Sequence, residues 1–310
     1  MRITDIQTFD LNCDIEPSFG WSQGWISKRN TTIVKISTDS GLVGWGEGAA
    51  SPIIRDWIGP LLIGRDPMQR TLLWELMFSS LYNGNNFVGI AGSAVSAIDI
   101  ALWDIAGKAS NLPIHTLLGG KIRDRIPVYA TGLYYTENEM PKRLLTEAKE
   151  YVDQGFKGMK TKVGGLDIDK DVERVKAIRE AIGPNIRLMI DANEGYNAAS
   201  AIQIGEKLSD LDISWFEEPV NAKDIDAYIQ VKNALSIPIA GGENLRSRFE
   251  FRDYISRRAY DIVQPDVMHC GGITEMVRIA AIANAHGIQV NPHVWGSPIM
   301  IAASLHVTST

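Results

Sequence analysis

Six short, largely apolar runs in the second half of the chain each end at an ionisable residue. The runs are FKGMKTK, IRLMID, ISWFE, IPIAGGE, DIVQPD and IQVNPH, and the residues that end them are Lys162, Asp191, Glu217, Glu243, Asp266 and His293. Successive members of this series are 29, 26, 26, 23 and 27 positions apart, which is the length of one strand plus one helix. Such a repeat is typical of a (β/α)8 barrel, whose functional groups lie at the C-terminal ends of the strands. We therefore expect the six side chains to meet at one mouth of the barrel.

The same pattern predicts seven barrel strands, which lie at 125–131 and near 156–162, 187–191, 213–217, 237–241, 261–265 and 287–291. Helices are predicted between the strands, for example over 139–153, 170–182 and 272–286. A closed barrel of this type needs an eighth strand and helix, and no eighth strand is visible in this chain. We therefore expect the barrel to be truncated here, with a C-terminal segment following Thr310 in the natural protein. The alternative is a barrel that is closed in an unusual way.

Residues 1–120 have a different pattern, typical of a small α+β domain. Segments 3–11 and 31–37 are predicted strands, and the glycine-rich segment 41–48 suits a hairpin in an antiparallel sheet. The glycine spacing there is not the G-x-G-x-x-G of a phosphate-binding loop. Helical patterns follow at 66–82 and 91–109, where apolar residues recur three and four positions apart. We predict one domain over 1–120 and a barrel domain over 121–310.

Composition narrows the class of protein. Of 310 residues, 45% are hydrophobic and 22% are charged, which is ordinary for a globular enzyme. The formal net charge is −6, so the chain lacks the excess of Lys and Arg that is typical of a nucleic-acid-binding protein. No apolar run approaches the roughly 20 residues that span a bilayer, and the N-terminus lacks a signal core. The two cysteines, Cys13 and Cys270, form no disulfide framework. We expect a cytoplasmic homo-oligomer that binds neither nucleic acid nor membrane.

Several motifs resemble those of the enolase superfamily, and within it the mandelate racemase subgroup. They are KTKVGG (160–165), IDAN (190–193), WFEEP (215–219), GGEN (241–244), QPD with CGGIT (264–266 and 270–274) and PHVWGS (292–297), while SAIDIALWDIAGK (96–108) resembles the end of the family's N-terminal capping domain. The resemblance covers nearly the whole chain and is closest to enzymes that act on sugar acids and their lactones. It implies a (β/α)8-type barrel with an N-terminal α+β capping domain.

The resemblance also implies roles for individual residues. Asp191, Glu217 and Glu243 match the three metal-ligand positions, and Asn193 matches a position near the substrate. The remaining matches are acid and base positions: Lys162 with its companion Lys160 on one side, and the Asp266 and His293 pair on the other. The family's functional position on the eighth strand has no counterpart in this chain.

The chemistry of these residue types agrees with that assignment. Three carboxylates make a hard oxygen site that favours Mg²⁺, or Mn²⁺, over Zn²⁺. A substrate whose carboxylate is bound there could lose the proton from its α-carbon, because the metal stabilises the enolate that results. A Lys or His base beside Mg²⁺ is the known arrangement of enolase-superfamily sites. A single acid at a strand end is more often a helix cap or a surface ion pair, but three on consecutive strands favour a metal site.

The two lysines and the histidine are candidates for proton transfer. Lys160 lies two residues from Lys162 on one strand, so both face the same side, and its charge disfavours protonation of Lys162. The alternative is a pair of solvated surface lysines. Asp266 can orient His293 and raise its pKa. The other histidines are expected to be structural.

Specificity is expected to come from the capping domain. Segment 19–25 mixes aromatic residues and glycines in a predicted loop, from which Trp21 is a candidate substrate contact. This segment could be a mobile lid over the barrel mouth, or it could only pack two tryptophans against the rest of the protein, and the sequence does not distinguish these two interpretations.

Four functions remain. The first is a lyase that dehydrates a sugar acid by β-elimination. The others are a lactone cycloisomerase, a racemase or epimerase of a 2-hydroxy acid, and a non-catalytic barrel that binds a ligand.

Overall fold

A computed structural model describes residues 1–81, 86–137 and 141–310. The end of the helix predicted over 66–82 and the start of the helix predicted over 139–153 lie outside the described residues. These residues form two sheets, one antiparallel and one parallel.

The N-terminal sheet has three antiparallel strands in the order β1-β2-β3. They are β1 (Ile3–Trp21), β2 (Gly24–Thr38) and β3 (Val43–Gly48). Strands β2 and β3 are joined around Gly41, so the predicted hairpin at 41–48 is confirmed. The loop predicted over 19–25 is wrong. This segment is the tip of a long hairpin, because β1 continues to Trp21 and pairs with Gly24 of β2.

Helices follow this sheet in the chain, and the longest of them packs against one face of it. They are α1 (Ser51–Ile53), a π-helical turn (Ile54–Ile58), a 3-10 turn (Gly59–Leu61), α2 (Arg70–Ser80), α3 (Ile90–Ser110) and α4 (Ile114–Leu117). Helix α3 approaches β3 so closely that a Cβ on Gly46 would lie 1.9 Å from the carbonyl oxygen of Ala97. The glycines of GLVGWGEG therefore serve close packing.

Among the described residues, α3 is the one helix long and apolar enough to cross a membrane by length and composition. However, 89% of its most apolar window is buried inside the protein. Its apolar length is that of a core helix, packed between the sheet and the barrel.

The second sheet consists, in the described part of the chain, of seven parallel strands in sequential order. They are β4 (Ala130–Thr131), β5 (Gly158–Lys162), β6 (Arg187–Asp191), β7 (Ile213–Glu217), β8 (Ile239–Gly241), β9 (Ile262–Val263) and β10 (Gln289–Val290). This is the predicted barrel architecture with an N-terminal cap, and no eighth strand is seen in the described residues. The strand predicted over 125–131 is wrong in its first part, since only Ala130–Thr131 pairs with β5.

The helices between the strands are α5 (Lys142–Asp153), α6 (Ile168–Ile182), α7 (Ala198–Lys207), α8 (Ile225–Ala234), α9 (Ser247–Ser256), α10 (Gly272–Ala285) and α11 (Pro298–Thr308), with a 3-10 turn at Ser209–Leu211. Alternate residues of a strand face opposite sides of a sheet. In β6, Leu188 and Ile190 pack into the large core under the helices, whereas Met189 joins a small inner cluster with Trp215. Asp191 shares the inward direction of Met189, which points it into the barrel. We propose that the capping domain comprises residues 1–120 and the barrel domain residues 121–310, as the sequence predicts.

Candidate active site

The predicted series of ionisable residues lies at the C-terminal ends of consecutive parallel strands. Lys162 is paired in register with Asp191, and Asp191 with Glu217, so these three side chains leave one edge of the sheet side by side. Glu243 follows the end of β8, and Asp266 and His293 form a parallel bridge just beyond β9 and β10. Strand order therefore arranges the series as a continuous arc around one mouth.

Three carboxylates form the centre of this arc. Asp191, Glu217 and Glu243 each offer an oxygen, and the three oxygens lie within 4.8 Å of one another. Asp191 and Glu217 are fully buried, whereas the Glu243 side chain retains 16% exposure toward the mouth. Buried carboxylates on three separate strands with no thiolate or imidazole in the set have the donor chemistry of a hard divalent cation.

Both lysines of K-x-K are buried against these carboxylates. Lys162 Nζ lies 2.6 Å from Asp191 Oδ2, and Lys160 Nζ contacts both Asp191 Oδ2, at 3.1 Å, and Glu217 Oε1. The two residues are therefore not solvated surface lysines, since only 2% of Lys160 and 7% of Lys162 is exposed. Burial opposes the charge of Lys160, but the two carboxylates outweigh it and raise the pKa of Lys160 well above its ordinary value.

The two fully buried carboxylates are held differently. Burial acts to raise the pKa of Asp191, but the charges of Lys160 and Lys162 outweigh it and hold that pKa below its ordinary value. For Glu217, burial is the dominant influence and raises the pKa. Its second oxygen, Oε2, accepts hydrogen bonds from Trp215 Nε1 at 2.9 Å and Gln264 Nε2 at 2.7 Å.

The histidine at the far end of the arc is paired with two carboxylates. His293 Nδ1 donates to Asp266 Oδ2 at 2.6 Å, and His293 Nε2 lies 3.3 Å from Glu243 Oε2. Burial acts to lower the pKa of His293, but Glu243 and Asp266 outweigh it and raise the pKa to about 9. Lys162 and His293 thus contact opposite ends of the row of three carboxylates.

The hairpin tip of the N-terminal sheet reaches this mouth. Ser22 Oγ donates to the carbonyl oxygen of Asp191 at 3.3 Å, and Gln23 Nε2 donates to the carbonyl oxygen of Asn193. Asn193 donates its backbone N–H to Asp191 Oδ1 at 2.9 Å, while its own Oδ1 is buried with no hydrogen-bond partner among the described residues. Trp21 ends the strand that leads into this tip, and its contact with a substrate stays a prediction.

Comparison with known proteins identifies the family. The model of the mandelate racemase / muconate lactonizing enzyme N-terminal domain matches residues 3–119, and the model described as enolase C-terminal domain-like matches residues 143–310. The chain belongs to the mandelate racemase and muconate lactonizing enzyme family. The resemblance to the enolase superfamily that the motifs indicated is therefore confirmed.

Relatives in this family are lyases and isomerases. D-galactarolactone cycloisomerase of Agrobacterium fabrum is 39% identical, over 98% of this chain and 82% of its own. Arabinonate dehydratase of Saccharolobus solfataricus is 38% identical, over 89% of this chain and 75% of its own. The crystal structure of the 3,6-anhydro-D-galactonate cycloisomerase from Zobellia galactanivorans superimposes with a TM-score of 0.90 at 38% identity, and the match covers 100% of this chain and 84% of that one. The chain is an enzyme of this lyase or isomerase type.

Three residues near the mouth were missed by the sequence reasoning. Trp215 and Gln264 support Glu217, and both lie inside motifs that carried the family resemblance, which could have suggested them. Tyr134 follows β4, and its ring centroid lies 5.8 Å from Lys162 Nζ. Its hydroxyl is buried without a hydrogen-bond partner among the described residues. No motif in this chain marked Tyr134.

Proposed function

We propose that this enzyme removes the proton α to the carboxylate of a sugar acid and eliminates the β-hydroxyl group. The observation that carries the proposal is the placement of two proton-transfer groups, Lys162 and the Asp266-paired His293, at opposite ends of the three-carboxylate row. β-Elimination needs one group that accepts a proton and one that delivers a proton to the leaving oxygen.

The three carboxylates fit Mg²⁺, because they supply only hard oxygen donors, and Mn²⁺ fits the same donor set. Asp191, Glu217 and Glu243 would hold the ion. Bound there, the ion would supply a Lewis acid that holds the substrate carboxylate and stabilises the negative charge that develops on it.

The protein's own groups divide the remaining work. Lys162 accepts the α-proton, and the charge of Lys160 stabilises negative charge on the substrate carboxylate. His293, fixed by the hydrogen bond from Nδ1 to Asp266, delivers a proton from Nε2 to the departing hydroxyl. Asn193 Oδ1, buried and without a partner among the described residues, accepts a hydrogen bond from a substrate hydroxyl. Trp21 contributes an apolar contact from the hairpin tip.

A lactone or anhydro-sugar cycloisomerase is the second candidate. It is favoured by two cycloisomerases among the relatives described above, which match 98% and 100% of this chain. The same groups suffice, because a ring oxygen can leave in place of a hydroxyl. The two reactions differ in product: a dehydratase forms a product lighter by one water, and a cycloisomerase forms an isomer of the same mass.

The test is a screen of sugar acids and sugar lactones with Mg²⁺, followed by mass spectrometry and NMR of the products. The proposal expects a 2-keto-3-deoxy acid from at least one sugar acid. An isomer of equal mass from a lactone would establish the second candidate instead. Inversion at the α-carbon with no elimination would identify a racemase, and the absence of any reaction in the screen would count against catalysis of this type.

We also propose that the enzyme works in the cytoplasm as a homo-oligomer. Cys13 and Cys270 are free thiols, which suits a reducing compartment. Phe9, Leu11 and Trp45 lie on one face of the N-terminal sheet and are 42%, 53% and 39% exposed, which supports a subunit contact there. Light scattering of the purified protein measures the oligomer, and a monomer at micromolar concentration would contradict this part of the proposal.

A further inference from the structure

A fully buried carboxylate of the N-terminal sheet holds the segment that follows His293. Glu47 in β3 accepts hydrogen bonds from Ser297 N at 2.8 Å, Ser297 Oγ at 2.6 Å and Met300 N at 3.1 Å. It also accepts one from Thr31 Oγ1 at 2.9 Å. The two residues of the barrel that it binds lie at the start of α11, four and seven positions after His293.

The hydrogen bonds explain why the segment cannot easily shift. The first N–H groups of a helix have no partner within the helix, and a carboxylate placed there satisfies them. A buried carboxylate in turn needs these donors, since one that loses them stays desolvated without compensation. Movement of Ser297 away from Glu47 would leave unpaired groups on both sides of the contact.

The same segment is held at a second point by the N-terminal sheet. The Arg29 guanidinium stacks over the Trp295 ring at 4.3 Å, and the Phe19 ring centroid lies 6.1 Å from that of Trp295. Trp295 is two residues from His293. Within the described part of the barrel, His293 is held by its N–H, which donates to the Pro265 carbonyl oxygen at 3.2 Å, and by its ring, which contacts Asp266 and Glu243.

Lys162, by contrast, is fixed inside the barrel. It belongs to the paired strand β5, and its carbonyl oxygen accepts from Arg174 NH1 of α6 at 2.8 Å. In the described part of the chain, Lys162 contacts Asp191, Arg174 and Tyr134, which all belong to the barrel. The two ends of the arc therefore depend on different supports.

We propose that Glu47 is a positioning residue for His293: through Ser297 it holds the imidazole where it can transfer a proton. This assignment rests on the proposed function. It gives β3 a part in the positioning of His293, whereas the N-terminal sheet reaches the Lys162 end of the arc through Ser22, which contacts Asp191. A displacement of about 1 Å at a reacting group can lower the rate about 100-fold.

The test replaces Glu47 with Gln, which keeps the size but turns an NH₂ group toward donors. Thr31→Val is the matched control, because it removes one hydrogen bond to Glu47 and leaves those to Ser297 and Met300. Turnover and solvent deuterium exchange at the α-carbon are measured for both stereoisomers of the substrate, well below the unfolding temperature of each variant. We expect Glu47→Gln to lower turnover and His293-dependent exchange by about 10- to 100-fold. Lys162-dependent exchange should stay within about twofold, and Thr31→Val should resemble the wild type.

A readout without substrate separates this proposal from the proposed function. In protein carrying ¹⁵N-labelled histidine, the proton on His293 Nδ1 should exchange with water faster in Glu47→Gln than in wild type or Thr31→Val. That result supports the positioning role even if no sugar acid reacts. An unchanged Nδ1 proton, or an equal loss of exchange at both stereochemical faces, would overturn the role of Glu47 and leave only helix stabilisation.

Discussion

The Asp99→Asn variant should reveal how much one buried acid makes the stability of this enzyme depend on pH. Asp99 lies in α3, and its carboxylate accepts from Thr274 N at 2.9 Å and Thr274 Oγ1 at 2.6 Å, at the start of α10. Burial is the largest influence and raises its pKa to about 7, although the hydrogen bonds from Thr274 act in the opposite direction.

The sign of the effect follows from proton binding. In the unfolded chain Asp99 titrates near 3.8, so between that value and about 7 the folded protein binds the extra proton. Stability contributed by this group is therefore lost as pH rises through that window. One pKa unit corresponds to about 1.4 kcal/mol, so the change from about pH 5 to about pH 8 is about 3 kcal/mol.

The assay is chemical denaturation of wild type and Asp99→Asn at both pH values. Asparagine does not titrate, and its NH₂ group can donate to Thr274 Oγ1. Any pH-independent cost of the substitution cancels when the stabilities at the two pH values are compared. We expect the stability of wild type relative to the variant to fall by about 3 kcal/mol between about pH 5 and about pH 8. A difference that is constant with pH, or that grows in favour of wild type, would refute the reasoning.

Three further outcomes follow from the structure. Glu217→Gln should lose turnover and Mg²⁺ binding measured by calorimetry while keeping its circular dichroism spectrum, because strand-end acids at a barrel mouth serve chemistry more than stability; retained Mg²⁺ affinity would contradict the metal assignment. His293→Asn should lose elimination yet keep α-proton exchange for one stereoisomer, with the mirror result for Lys162→Ala, as measured by NMR in D₂O; exchange from both faces in either variant would contradict two separate groups. Gly46→Ala should destabilise the fold by about 3 kcal/mol in thermal or urea unfolding, because its Cβ would meet the Ala97 carbonyl at 1.9 Å; an unchanged midpoint would show that α3 can move away.

The arc of ionisable residues could be read from the sequence because a barrel repeats one unit. Each unit places one residue at the end of a parallel strand, and strand ends of a barrel face the same mouth. The steps from Lys162 to His293 were therefore enough to predict that these side chains meet.

The N-terminal hairpin could not be predicted in the same way. Residues 12–19 include Asp14, Glu16 and Pro17, which are disfavoured in strands, and β1 pairs with β2 up to Asp14 and again from Phe19, with an irregular register between them. Strand propensity depends on such neighbours more than on the segment itself. The contacts of Ser22 and Gln23 with the barrel mouth could therefore not be predicted from the sequence.

Glu47 and Tyr134 also could not be recognised from the sequence as supporting residues, because their positions depend on how the chain folds. Glu47 lies 250 positions from Ser297, and Tyr134 follows β4, a strand of only two residues, Ala130–Thr131. Contacts of this kind depend on how the sheet and the barrel pack, which no local pattern records. The sequence could suggest the groups that do chemistry and the Asp266 partner of His293, but not supports such as Glu47 that come from a distant element.

The central claim is removal of the α-proton followed by elimination, and deuterium at the α-carbon tests it most directly. A sugar acid that the enzyme accepts is prepared with deuterium at C2 and converted in ordinary water with Mg²⁺. The account predicts that the deuterium is released to solvent and that C3 of the 2-keto-3-deoxy product acquires its new hydrogen from water. Deuterium carried from C2 to C3 in the product would contradict it, because the hydrogen would then have moved within the substrate without passing through Lys162 or His293.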